Sequence, residues 1–264
     1  MADTLHYNMT GSGRPLLLVH GWAMHRGVWQ SLTSALAGCC TVIAVDLRGH
    51  GAAAALPGPY DFAAFADDLR LLAAQLSLDR VIALGWSMGV SVLLRLLQDP
   101  AAWIDALILV GGTPCFVARE DWPPGMPRAA VQRLQRRIER QYPEALASFH
   151  ELLLTERERA ALVQTPDYDL LTHPRHAPNR EAACRSLRDL ADADLRPVLG
   201  SITVPTLLIH GDKDRLCMPP AADYMHRCIS GSRVLHLPET GHVPFMTRPE
   251  AVAAAIRDFV RSLP

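Results

Sequence analysis

A serine hydroxyl becomes a useful nucleophile only when a histidine can take its proton, and that histidine needs a carboxylate to fix its tautomer. Ser87 lies in Gly85-Trp86-Ser87-Met88-Gly89, a G-x-S-x-G spacing set between the apolar runs Val81–Leu84 and Val90–Leu94. The spacing has a steric reason. A serine held in a left-handed-type backbone crowds the positions two before and two after it, and glycine there removes the side chains that would clash. The serine oxygen then stands at the positive end of a helix. Serine, acid, histidine is the expected chain order, with the acid and the histidine on loops after later strands. Asp214, in Gly211-Asp212-Lys213-Asp214, and His242, in Glu239-Thr240-Gly241-His242, both occupy such loops. The chemistry this implies is acyl transfer through a serine ester. Dehalogenase and epoxide-hydrolase chemistry, which needs aspartate at position 87, is excluded.

Rivals exist for both partners. Asp212 is the alternative acid, but it stands so near the strand end that it is assigned to the turn. Among the other ten histidines, His236 lies inside a predicted strand and His210 ends one, which makes them core or turn residues. His20 and His50 sit in glycine turns, where imidazole commonly bonds backbone. The developing oxyanion needs two backbone N–H donors. Met88, after the nucleophile, supplies one; Trp22, in the loop after the strand Leu16–Val19, supplies the other. A plain tight turn is the competing reading of His20-Gly21-Trp22.

The elements that must position these groups alternate. Leu16–Val19, Thr41–Val45, Val81–Leu84, Ala106–Val110, Thr206–His210 and Val234–Leu237 read as strands, most of them continuous apolar runs of the kind buried on both faces. Val28, Trp29, Leu32 and Leu36 recur at helical spacing, as do Phe62, Phe65, Ala66, Leu69, Leu72 and Leu76. A last helix is predicted over 249–263. Ala52–Ala55 reads as loop. The pattern is α/β, a mainly parallel sheet flanked by helices. Residues 113–196 break it, with helix after helix and no convincing strand; Thr155 and Glu158 form a capping box there. We therefore expect a core of residues 1–112 and 197–264 and an inserted helical cap (lid) of residues 113–196 over the carboxyl ends of the strands.

The 264 residues are 49% apolar with a net charge of −1, enough for one sizeable domain and no electrostatic case for nucleic acid or an anionic membrane. Lys213 is the only lysine against 25 arginines, read as genomic composition bias. Six cysteines show neither a C-x-x-C pair nor zinc-ligand spacing, so reduced thiols are expected. Met1–His6 is polar and lacks a basic-then-apolar leader, and the longest uncharged apolar run, Val81–Leu94, is shorter than a membrane span of about 20 residues. The expectation is a cytoplasmic monomer working without metal or cofactor.

Arg133, Arg136, Arg137 and Arg140 stand at i, i+3, i+4 and i+7, opposite Val131, Leu134 and Ile138 on one helix. They form either a solvated face or a positive patch beside the pocket entrance, able to hold a phosphate or an acidic protein.

Taken together, the Leu-x-His-Gly-Trp loop, the Asp-x-x-Gly-x-Gly turn at Asp46–Gly51, the elbow, the Gly-x-x-Asp turn and the Gly-His loop resemble the α/β-hydrolase fold over nearly the whole chain. A narrower resemblance rests on the elbow, on Thr113-Pro114-Cys115-Phe116-Val117-Ala118-Arg119-Glu120-Asp121-Trp122-Pro123 and on Asp194-Leu195-Arg196. These are similar to the pimeloyl-acyl-carrier-protein methyl ester esterases of biotin synthesis. That resemblance implies hydrolysis of a methyl ester at the far end of a carrier-bound acyl chain, with the cap arginines meeting the acyl-carrier protein. It also implies that Trp22, Ser87, Met88 and His242, with the segment Phe149-His150-Glu151-Leu152-Leu153, contact substrate. His150 and Glu151 are polar where that family shows apolar residues, and Val90 replaces a common glycine. Trp86 and Phe149 are expected to wall an apolar channel. Two other functions stay open: a general small-ester or lactone hydrolase, and a triad-bearing ligand receptor with negligible turnover.

Overall fold

The computed structural model describes residues 5–264; the leader reading at Met1–Thr4 lies outside the described residues. Its first half runs β1 (His6–Gly11), β2 (Arg14–Val19), α1 (Gln30–Leu36), β3 (Cys40–Asp46), α2 (Phe62–Gln75), β4 (Val81–Trp86), α3 (Met88–Leu96) and β5 (Ile104–Val110). Five helices follow without an intervening strand: α4 (Arg128–Arg140), α5 (Tyr142–His150), α6 (Glu156–Leu162), α7 (Pro166–Thr172) and α8 (Arg180–Asp192). The chain closes with β6 (Thr206–Gly211), α9 (Pro220–Cys228), β7 (Arg233–Leu237), α10 (Pro244–Thr247) and α11 (Pro249–Ser262).

Seven strands form one sheet in the order β1-β3-β2-β4-β5-β6-β7. Every pairing is parallel except β1 with β3. Successive side chains of a strand face opposite sides, and Leu16 to Val19, Val81 to Trp86 and Thr206 to Gly211 are all buried. Helices therefore cover both faces, as an apolar run without alternation requires. β1 escaped the sequence reading because its HYNMTG is largely exposed and carries almost no apolar signal. Ala52 and Ala53 belong to a short 3₁₀ turn, Gly51–Ala53, rather than plain loop.

The helical segment between β5 and β6 is fastened at its two ends to one site. Trp122 Nε1 donates to the Cys115 carbonyl at 2.7 Å, and the Leu195 N–H to the Pro114 carbonyl at 2.8 Å. Arg196 binds Asp194 through Nε at 2.8 Å and Nη2 at 2.6 Å and lies 5.6 Å over the Trp122 ring. The unusual Cys-Phe…Trp-Pro and Asp-Leu-Arg stretches thus serve as a structural clasp. Val90 is housed by Gly112, where a Cβ would come within 2.5 Å of Val90 Cγ2. The glycine missing after the elbow is matched by one on the next strand end.

Candidate active site

Ser87 joins the end of β4 to the first turn of α3 with φ 55° and ψ −116°, a backbone state that stores strain in a non-glycine residue. The flanking glycines are needed. A Cβ at Gly85 would lie 2.6 Å from the Gly89 carbonyl oxygen, and one at Gly89 would collide with the Val19 carbonyl. A buried strand and a buried helix press on both sides of this turn, which holds Ser87 Oγ at the sheet's carboxyl edge.

His242 Nε2 is 2.8 Å from Ser87 Oγ, and His242 Nδ1 is 2.7 Å from Asp214 Oδ2. An ionised carboxylate only accepts, so the proton sits on Nδ1 and the Nε2 lone pair faces Ser87. Asp214 is held from behind. Its Oδ1 accepts the N–H groups of Leu216 at 2.9 Å and Cys217 at 3.0 Å, which leaves Oδ2 for the imidazole. The arrangement can move a proton from the hydroxyl to an imidazole whose developing charge faces a carboxylate. Asp212 instead accepts the Thr240 N–H at 3.4 Å across the turn, outside this relay.

The other histidines divide as follows. His20 Nδ1 donates to the Gly21 carbonyl and Nε2 accepts the Leu47 N–H at 3.1 Å, tying the Trp22 loop to the end of β3. His50 bonds the Arg48 carbonyl. Burial pushes both imidazoles down to about 3, so both are neutral structural groups. His210 donates through Nε2 to the Cys217 carbonyl at 2.6 Å and helps shape the Asp214 loop; burial lowers its pKa. His236, expected in core or turn, is exposed on edge strand β7 and pairs with Asp223.

Gly21 packs directly on the elbow: a Cβ there would lie 3.1 Å from Ser87 Cβ. This brings the Trp22 backbone beside the nucleophile. Among the described residues, neither the Trp22 nor the Met88 N–H donates to a carbonyl of the surrounding turns. The Trp22 indole reaches the other way, donating to the Ala183 carbonyl at 3.0 Å and meeting Phe149 edge-on at 4.6 Å.

Ser87 opens onto a cavity of about 280 Å³ with mostly apolar walls, among them Trp22, Phe149, Leu152, Leu187, Leu190 and Leu216. Its lining also includes Arg133 and Arg137, which border a second hollow of about 330 Å³ with Arg136, Arg140 and Gln141. All four arginines are exposed, and among the described residues none stands in an ion pair; Arg137 bonds Ser148 Oγ at 2.9 Å. Of the segment 149–153, only Phe149 and Leu152 reach the cavity. α5 ends at His150, and Glu151 turns to solvent. His150 lies away from the cavity lining, its two ring nitrogens unpartnered and its pKa lowered to about 4 by burial. Leu153 is buried and touches the site through its carbonyl, which accepts the His242 N–H at 2.9 Å. Trp86, expected on the channel wall, instead packs into the core against Trp29 and Phe245. A strand buried on both faces leaves no periodic signal to say which face a side chain takes. Phe116, Leu187, Leu190 and Leu216 were missed as cavity residues because distant elements bring them in.

The alpha/beta hydrolase family model matches residues 16–255. This chain belongs to the alpha/beta hydrolase family. Within that family it is 34% identical over 250 residues to the pimeloyl-[acyl-carrier protein] methyl ester esterase of Nitrosomonas europaea, covering 94% of this chain and 96% of the relative. It is 33% identical over 260 residues to the protein of the same name from Nitrosospira multiformis, covering 98% of each. At this identity and coverage the chain is a member of that esterase family. Among solved alpha/beta hydrolases, an esterase from Exiguobacterium antarcticum superposes with TM-score 0.90 at 31% identity, over 98% of this chain and 96% of that one. The strand order reverses between β2 and β4, and Ser87 stands at the carboxyl end of β4, beside the crevice where such sheets bind ligands.

Proposed function

We propose that this alpha/beta hydrolase is a serine carboxylesterase that cleaves the methyl ester of pimeloyl-[acyl-carrier protein], releasing methanol, in biotin synthesis. The observation that carries the proposal is one mostly apolar cavity whose lining includes both Ser87 and the exposed Arg133 and Arg137. A neutral methyl ester on a hydrocarbon chain suits the apolar walls, where a free carboxylate would go unpaired. The arginines suit an anionic carrier outside. The helical segment 113–196, which supplies Phe116, Leu134, Phe149 and Leu187 to the walls, acts as the cap over this cavity.

In the reaction Ser87 Oγ attacks the ester carbonyl while His242 Nε2 takes its proton and Asp214 steadies the imidazolium. The Trp22 and Met88 N–H groups receive the oxyanion. Methanol leaves with the proton from His242, and water attacks the acyl-enzyme by the same route in reverse. The names of the family's curated members support the substrate, and the esterase of Exiguobacterium antarcticum keeps a broader small-ester duty in view.

The test is kcat/KM on the carrier-linked pimeloyl methyl ester beside free dimethyl pimelate. A preference of about 100-fold or more for the carrier-linked ester, the range that electrostatic steering supplies, is expected. Equal values would leave a general esterase and make the arginine stripe a solvated face.

A further inference from the structure

Leu153 and Glu158 flank the turn between α5 and α6, far in sequence from the His242 loop that they grip. The Leu153 carbonyl accepts the His242 N–H at 2.9 Å. The Glu158 carboxylate accepts the Gly241 N–H at 3.0 Å to each oxygen, and through Oε2 also the Thr155 N–H at 2.8 Å. The Glu158 N–H in turn donates to Thr155 Oγ1 at 3.2 Å. Glu158 is 7% exposed. Among the described residues no cation pairs with it, so backbone N–H groups are what compensates its burial. A Cβ at Gly241 would stand 2.7 Å from Glu158 Oε2 and 3.0 Å from the Leu153 carbonyl oxygen. Glycine is what allows this approach.

We propose that Glu158 is a positioning residue for His242. Its capping box serves α6, and the same carboxylate locks the residue before the histidine. The His242 backbone is thereby held from two sides, its carbonyl by the Trp86 indole N–H at 2.8 Å and its N–H by the inserted segment. Leu152, which walls the cavity, lies immediately before Leu153, and Phe149, another wall residue, lies one helical turn earlier. The stretch that shapes the acyl space therefore also sets the angle at which the base meets Ser87. This inference rests on His242 acting as the base in the proposed reaction.

The experiment compares Glu158→Ala, Glu158→Gln and Thr155→Ala on a short-chain p-nitrophenyl ester, with Ser87→Ala as reference. Displacing a base by about 1 Å costs up to ~100-fold, so Glu158→Ala is expected to lower kcat about 10- to 100-fold with KM within about twofold. Glu158→Gln keeps one acceptor oxygen and should recover most of that loss. Thr155→Ala weakens the α6 cap yet leaves the Gly241 contact, and should stay near wild-type kcat. Wild-type kcat in Glu158→Ala overturns the proposal. So do equal losses in Glu158→Ala and Thr155→Ala, which would mean cap stability alone, and so does a rise in KM at unchanged kcat. Full turnover in Ser87→Ala would instead remove the serine mechanism itself.

Discussion

The indole N–H of Trp86 donates to the carbonyl of His242 at 2.8 Å, so the residue just before Ser87 holds the backbone of the histidine that Ser87 bonds. The two rings also lie 5.5 Å apart, tilted by 47°. Nucleophile and base are thus referenced to one another through a side chain buried behind the cavity. Trp86→Phe preserves most of the packing and leaves the buried carbonyl without its donor. Such a loss costs about 1–3 kcal/mol. Lower thermal stability and a kcat reduced roughly 10-fold at similar KM are expected, read by calorimetry and steady-state kinetics. An unchanged kcat would show that the Leu153 contact suffices.

Ser87→Ala and His242→Ala should each reduce ester turnover by about 10⁴- to 10⁶-fold while far-UV dichroism stays native. Multiple turnovers by the wild type on a short-chain p-nitrophenyl ester would exclude a receptor that merely binds ligand. Residual turnover of Ser87→Ala near wild type would end the serine mechanism.

Reversing Arg133, Arg136, Arg137 and Arg140 to glutamate changes the charge of an exposed face and gives up the Arg137 bond to Ser148. KM for the carrier-linked ester should rise at least about 10-fold and its salt dependence should vanish, while a free small ester is unaffected. Equal damage to both substrates would mean that α4 itself has been disturbed.

Acid should weaken the fold before the carboxylates titrate. His20 and His50 are held down to about 3 by burial, against 6.5 when unfolded. Both are neutral in the native state and become protonated on unfolding, so their stabilisation is complete above about pH 6.5 and declines as pH falls toward about 3. Each contributes a slope of about 1.4 kcal/mol per pH unit in that window. On denaturant unfolding these two groups should take up about one proton at pH 6.5, rising to about two at pH 5, and His50→Leu should roughly halve that uptake. A flat profile over this range would mean that the imidazoles are accessible to water.

Gly112→Ala should destabilise the protein by about 1–3 kcal/mol through overpacking, because the new Cβ meets Val90. Val90→Gly in the same chain, which removes the Val90 Cβ as well as both methyls, should return much of that. Additive effects in the double-variant cycle would deny the contact.

How far the sequence reached depended on the range of the interaction concerned. Ser87 and its two glycines were legible because the strain that selects them acts within five residues. The Thr155–Glu158 capping box was legible for the same reason. Continuous apolar runs marked the inner strands, since burial on both faces leaves a composition signal. That same burial erased the facing of Trp86, and exposure erased β1. Asp214 and His242 could be placed after their strands, yet their 2.7 Å approach comes from the β6–β7 pairing. Arg133 and Arg137 showed as a stripe from spacing alone, but only the packing of α4 onto the site brings them into the lining of Ser87's cavity. Glu158 is the clearest limit. Its local partner is three residues away and visible in the sequence, while its partner at Gly241, 83 residues on, exists only once chain closure has brought the two loops together.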